Sequence, residues 1–175
     1  MCYSHPFDTT KVIKVEYNNS IQRNQNKLET YYYEKLIKKG VDFSHTSKFY
    51  GNISTNLGTG IIFEAIKDFN GNYSKSFEYL ILKKLLSSTD ELSLLKELNL
   101  YLNVQGIVFG DVVLSNVLCQ ETSKDKYKLM IIDGLGARRF SFKFWLQNKS
   151  ITFNKVRIKK QWKKLMTNYN RAMLR

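Results

Sequence analysis

The residues with the clearest chemical potential are an aspartate and an asparagine separated by four positions in Gly110-Asp111-Val112-Val113-Leu114-Ser115-Asn116. A further carboxylate, Asp133, follows the apolar run Leu129-Met130-Ile131-Ile132 and precedes Gly134. Upstream, Lys14 lies within Val12-Ile13-Lys14-Val15, and Glu29 stands near the start of the next helical stretch. An ammonium, several carboxylates and an amide oxygen suit phosphoryl transfer, which asks for little covalent work and much charge placement. Lys14 could grip the α and β phosphates of a nucleotide if a carboxylate, Glu29, steadied its flexible stem. Asn116 and Asp133 offer hard oxygens to Mg²⁺ bridging the phosphates. Asp111 could accept the proton of the attacking hydroxyl or orient it.

Each residue also has a plainer reading. Asp111 and Asn116 could cap their own backbone in an ordinary turn, and Asp-Gly at 133–134 is common turn chemistry. A lysine within a strand is usually an outward-facing charge. Glu29 could pair with a lysine on its own helix, leaving Glu34 as the alternative partner for Lys14. The ordered set of five favours a nucleotide site over these readings taken singly. Gly58-Thr59-Gly60 lacks a following Lys-Ser/Thr and reads as a hairpin turn, not a phosphate loop. His5 and His45 have no companions at metal-ligand spacing, so zinc is not expected.

The elements that must position these groups follow from periodicity. Lys11 to Tyr17 alternates as a strand and Asn18-Asn19-Ser20 breaks it. Lys27 to Lys39 reads as a helix burying Leu28, Tyr31, Tyr32, Tyr33 and Leu36, with Gly40 as terminator. Phe49–Ser54 and Gly60–Ile66 read as strands of a hairpin. Glu64-Ala65-Ile66 falls where backbone groups would meet an adenine edge, or is simply a strand end. Asp68 to Asn72 is a turn, with Ser74 or Ser76 capping the next helix. A helix from about Asp90 to Asn103 should bury Leu92, Leu95, Leu98, Leu100 and Leu102 and end at Gly106. Ile107–Phe109, Val117–Cys119 and Leu129–Ile132 are of buried-strand type. From Asn154 onward Ile158, Trp162, Leu165, Met166, Tyr169 and Met173 recur at helical spacing. The whole is an α+β plan.

The 175 residues suit one domain, and 43% hydrophobic with 25% charged residues excludes wholesale disorder. No apolar run reaches the roughly 20 residues of a membrane helix. Two cysteines and no signal-like N-terminus point to a cytoplasmic, reducing setting, with Cys119 as a small buried hydrophobe. The net charge of +13 is unevenly distributed. Up to Asp133 there are 16 basic and 15 acidic residues, whereas Gly134 to Arg175 holds 12 basic residues and no acid. The tail therefore reads as a solvated helix face or as a surface for anionic membranes or nucleic acid. Phe142, Phe144 and Trp145 could pack inside or stack on a ligand.

The order strand lysine, helix glutamate, Asp-x4-Asn, strand-Asp-Gly resembles the protein-kinase-like fold. Over nearly the whole chain the sequence is similar to the YrbL family, bacterial kinase-like proteins named for the PhoP regulatory network. The likeness is carried by Cys2-Tyr3-Ser4-His5-Pro6, Ile13-Lys14-Val15, Glu29-Thr30-Tyr31-Tyr32, Gly51 to Thr55 with Gly58-Thr59-Gly60, and Ile66 to Gly71. It continues through Asn116 to Cys119, Asp133 to Gly136 and Trp162.

The resemblance implies a compact kinase-like fold: a small antiparallel N-terminal sheet lobe over residues 1–66, a reduced helical C-terminal lobe over 67–153 and a basic helix over 154–175. It implies ATP and Mg²⁺ as cofactors, with Lys14, Glu29 and Asp111 catalytic, Lys14, Glu64, Ile66, Asn116 and Asp133 holding the nucleotide, and Asn116 and Asp133 holding the metal. Relatives carry a further strand and a glycine-containing turn ahead of the stretch that matches Met1-Cys2-Tyr3, so the expectation is either a truncated start or weak ATP binding. Phe109-Gly110 replaces the His-Arg pair of protein kinases, and Val113 stands where a catalytic-loop lysine is expected. With 42 residues after Asp133, the expectation is that no peptide-docking platform is built from them. The expectation is phosphate transfer to a non-peptide hydroxyl; the alternative is a regulatory module without catalysis.

Overall fold

The computed structural model describes residues 1–16, 25–136 and 151–175. The break at 18–20 and the aromatic residues at 142–145 lie outside them. Among the described residues two antiparallel sheets and four α-helices follow one another along the chain, an α+β architecture. The first sheet has the order β1-β2-β4-β3, from β1 (Cys2–Ser4), β2 (Lys11–Val15), β3 (Phe49–Thr55) and β4 (Gly58–Glu64). The second is β5-β6-β7, from β5 (Lys75–Ser76), β6 (Val117–Ser123) and β7 (Lys126–Ile131). The helices are α1 (Gln25–Lys38), α2 (Phe77–Lys83), α3 (Ser88–Gln105) and α4 (Ile151–Met173).

Strand alternation decides what the first sheet presents. Val12 and Lys14 pair with Phe63 and Ile61, so these four share one face, while Ile13 and Val15 bury themselves on the other. Gly60 is demanded by that second face, because a β-carbon there would stand 2.7 Å from Ile13 Cγ2. The opening residues pair antiparallel with β2 as an edge strand, Cys2 opposite Lys14. The turn from β1 to β2 contains Pro6 and no glycine. The hairpin between β3 and β4 is tighter than the spacing predicts, with only Asn56 and Leu57 outside the strands and Gly58 at φ 125°.

On α1, Leu28, Tyr32, Tyr33 and Leu36 are buried as the periodicity predicts, but Tyr31 is half exposed. At 100° per residue it lies about a third of a turn from the centre of that stripe. Gly40 ends the helix region in the left-handed conformation, φ 65°. Ser76 caps α2 by accepting from the Tyr79 N–H, whereas Ser74 donates to Asp68 instead. Ser87 caps α3, and Gly106 closes it at φ 65°. Leu95, Leu98 and Leu102 face inward with Tyr101, but Leu92 and Leu100 face water. A leucine-rich helix with all sides apolar at sequence level still buries only one.

Ile107-Val108-Phe109 is fully buried yet forms no sheet strand, only a bridge from Phe109 to Leu135. The chain cannot extend that ladder because Gly110 and Asp111 both turn their N–H groups onto the Gly134 carbonyl. The apolar run reported burial, not strand. Segment 45–47 joins the two halves: Thr46 bridges Ile131 in parallel, and Ser47 N–H donates to the Ile131 carbonyl. Finally α4 closes the core with Ile158, Leu165, Tyr169 and Ala172, while Met173 is exposed at its C-terminal end. Phe77 and Tyr169 stack with centroids 6.2 Å apart. Among the described residues no helix is long and apolar enough to cross a membrane.

Candidate functional site

Lys14 reaches from the shared face of β2 toward α1 and toward the end of β7. Its Nζ donates to Glu29 Oε2 at 2.8 Å and to Asp133 Oδ1 at 2.7 Å. Glu29, not Glu34, is thus the helix partner; Glu34 is exposed. Burial pulls the Lys14 ammonium toward neutrality, but the two carboxylates outweigh it and its pKa ends above the ordinary lysine value. Burial acts on Glu29 as well and lifts its pKa above the usual carboxylate range, with Lys14 opposing. The Glu29 side chain is 9% exposed against 42% for Asp133, so the first fixes the ammonium and the second faces the cleft.

Asp133 is positioned by its own turn. Its Oδ1 also accepts the Gly134 N–H at 2.6 Å, and Gly134 adopts φ 81°. A β-carbon on Gly134 would lie 2.6 Å from Asp111 Cβ, and one on Gly110 would collide with the Gly136 carbonyl. The glycines therefore let two chain segments touch, bringing the Asp111 loop against the Asp133 turn. Asn116 completes that link. Its Nδ2 donates to the Asp111 carbonyl at 3.3 Å, and its own carbonyl accepts the Ile132 N–H at 3.0 Å. All five polar residues singled out in the sequence thus belong to one neighbourhood, three by direct ion pairs and two through the loop.

Next to the ion pairs opens a cleft of about 360 Å³, within the usual size range of small-molecule sites. Val12, Phe63, Ala65, Leu118 and Ile132 give it apolar walls, while Lys14, Ser47 and Asp133 are polar members at the ion-pair end. Glu64 and Ile66 line it as well. The Ala65 N–H is used by the Thr10 carbonyl and the Glu64 N–H by the Lys48 carbonyl. Among the described residues the Ile66 N–H donates to no other group. Met1, Cys2 and Tyr73 form the remaining wall, where the Ser4 and Tyr73 hydroxyls bond at 3.0 Å.

Sequence reasoning missed one part of the site. Glu29 Oε1 is buried without a hydrogen-bond partner, and the buried Tyr33 and Ser47 hydroxyls have at most each other; orphaned buried polar atoms are rare. Tyr33 lies one helical turn beyond Glu29, a spacing that signals a shared face. Ser47 carries no such signal, because it arrives through the packing of segment 45–47 on β7. Burial raises the Tyr33 phenol well above its ordinary pKa, reinforced by the Glu29 charge.

Among the described residues no three His, Cys, Asp or Glu side chains cluster in a way that could hold a metal. Asp133 Oδ2 forms no hydrogen bond or ion pair among the described residues, and the Asn116 amide is held on the adjoining loop by the Asp111 carbonyl. Such a sparse donor set fits Mg²⁺, which takes one or two protein ligands and draws the rest from phosphates and water. It does not fit zinc. Both cysteines are free; burial pushes the Cys119 thiol up to about 12, so it serves as a core side chain.

Two YrbL proteins, from Escherichia coli (strain K12) and from Shigella flexneri, are each 29% identical to this chain over 138 residues, covering 77% of it and 66% of the relative. The chain thus spans just under two thirds of the length of the curated relatives it matches. The model of the family described as PhoP regulatory network protein YrbL matches residues 1–170. That match runs across β1, the Lys14–Glu29–Asp133 ion pairs and most of α4, and by it the chain belongs to the YrbL family.

Proposed function

We propose that the protein binds ATP with Mg²⁺ in the cleft beside Lys14 and transfers the terminal phosphate to a hydroxyl of a non-peptide acceptor, as a compact kinase-like phosphotransferase. The observation that carries this reading is Lys14 held at once by Glu29 and Asp133 at the end of an apolar cleft. One carboxylate is enough to neutralise the ammonium charge. Here the second partner is a partly exposed carboxylate, the group that a metal–nucleotide would compete for. The apolar walls from Val12, Leu118 and Ile132 suit a flat heteroaromatic ring, and the Ile66 N–H is a donor at the cleft edge.

In this reading Lys14 exchanges Asp133 for phosphate oxygens while Glu29 keeps its ammonium in place. Bound Mg²⁺ neutralises phosphate charge. Asp133 and Asn116 would hold the ion, and Asp111, in contact with the Asp133 turn, would take or orient the acceptor's proton.

The test is calorimetric titration of the full chain with ATP, with and without Mg²⁺, alongside phosphate release and transfer assays. Lys14→Met should weaken nucleotide binding at least tenfold. Asp133→Asn should remove the Mg²⁺-dependent part, and Asp111→Asn should spare binding but abolish transfer. A folded chain that shows neither nucleotide binding nor Asp133-dependent transfer would overturn the proposal. A second reading, nucleotide binding without transfer, is favoured by Val113 in place of a loop cation. It is distinguished by binding that persists with no turnover and no effect of Asp111→Asn.

A further inference from the structure

The cationic side of α4 stands apart from the cleft and is not used by the reading above. Lys155, Lys159, Lys160, Lys163, Lys164 and Arg171 are all exposed on it. Among the described residues every ion pair lies elsewhere in the molecule. The helix holds no acidic residue, nor does any position from Gly134 to the end. Solvated helix faces usually interleave the two signs, because like charges three or four residues apart destabilise a helix. Here Lys155/Lys159, Lys159/Lys163 and Lys160/Lys164 are such pairs, and nothing on the helix relieves them.

The opposite side explains why the array stays fixed. Ile158, Leu165, Tyr169 and Ala172 are buried, Tyr169 OH donates to Glu91 Oε2 at 2.9 Å, and Asn168 Nδ2 donates to the Val112 carbonyl at 2.7 Å. At 3.6 residues per turn, Lys155, Lys159 and Lys163 fall on one flank and Lys160, Lys164 and Arg171 on another, about 120° around the axis. Val156, Thr167 and Asn170 lie between them, over a helix about 34 Å long. A helix that docks on a lipid surface needs its apolar side free to enter the interface, and here that side is spent in the protein core. What remains is a rigid double row of cations suited to two phosphate strands.

We infer that the exposed face of α4 is a docking surface for a nucleic-acid duplex, held through its phosphate backbones without base readout. Fluorescence anisotropy of the full chain with a labelled 20-base-pair duplex, at 50 to 200 mM NaCl, tests this. Five phosphate contacts predict a fall in affinity of about 10²–10³-fold across that range. The quadruple variant Lys159→Gln/Lys160→Gln/Lys163→Gln/Lys164→Gln should bind at least tenfold more weakly at 100 mM salt and show a shallower salt slope. Neutralising Lys38, Lys39, Lys124 and Lys126, which are exposed elsewhere, should change affinity less than twofold. Circular dichroism confirms that both variants fold. A flat salt response, equal losses in the two variants, or binding to phosphatidylserine vesicles but not to duplex would each overturn the inference. Because no ATP enters the assay and the substituted lysines do not line the cleft, its outcome is independent of the proposed ATP site.

Discussion

The cleft and α4 handle positive charge in opposite ways. At the cleft a single ammonium is taken partly out of water and held by two carboxylates, one 15 and the other 119 positions away in the chain. On α4 six cations stay in water, with no carboxylate in ion-pair range among the described residues. The first arrangement exists only when β2, α1 and the turn after β7 are all in place. The second needs only that one apolar helix side finds the core. Charge in the cleft therefore reports tertiary structure, whereas charge on α4 is free to serve something outside the molecule.

The sharpest way to break this contrast is to strike the side of α4 that faces inward. Leu165 is almost completely buried, and Leu165→Ala should cost about 2–5 kcal/mol of stability by urea denaturation. Lys163→Ala, on the outer side, should stay within about 0.5 kcal/mol. Similar losses at the two positions would mean that the outer face is structural after all. Next in size is the cleft. Lys14→Met leaves the buried Glu29 facing Asp133 without a cation between them. Removing one partner of a fully buried pair costs about 3–5 kcal/mol, and the partial exposure of Lys14 reduces this to roughly 1–3 kcal/mol. Adding Glu29→Gln should recover part of that loss, since it removes the stranded charge. If Lys14→Met is silent, the ion pairs do not organise the site.

These two regions were also legible to different degrees. The stripe of Ile158, Leu165 and Tyr169 and the excess of cations are local signals, and both are visible in the residues of α4 alone. Lys14, Glu29, Asp111, Asn116 and Asp133 could be singled out only as an ordered set, since none has a local pattern that distinguishes it from a turn or surface residue. The ion pairs that join Lys14 to Glu29 and Asp133 settle Glu29 over Glu34. Leu92 and Leu100 depart from the expected buried set because leucine content says nothing about which side of α3 meets the core. Ser47 could not have been found. Its place in the cleft follows from a parallel bridge between Thr46 and Ile131, a contact between remote segments that no periodicity records.

The smallest expected effect tests how α4 is fastened. Glu91 is buried in the first turn of α3 and accepts the Tyr169 hydroxyl at 2.9 Å. Burial raises its pKa above the ordinary carboxylate value, and the Tyr169 hydrogen bond opposes this without cancelling it. The folded protein thus holds this proton more tightly than the unfolded chain does. The stabilisation is complete below the unfolded value near 4.5 and is lost as pH rises through the higher folded value. Tyr169 acts in the same direction at the alkaline end: burial, with Glu91 adding to it, raises its phenol from 10 to about 12, so stability falls across that interval. Glu91→Gln keeps an acceptor for the hydroxyl but removes the acidic titration. Stability measured by urea denaturation from pH 4 to pH 7 should therefore show wild type losing ground to Glu91→Gln as pH rises, with Glu29 and the other carboxylates cancelling in the difference. A difference that stays level over that range would mean that Glu91 titrates as it would in water, and that the clasp between α3 and α4 carries no buried charge.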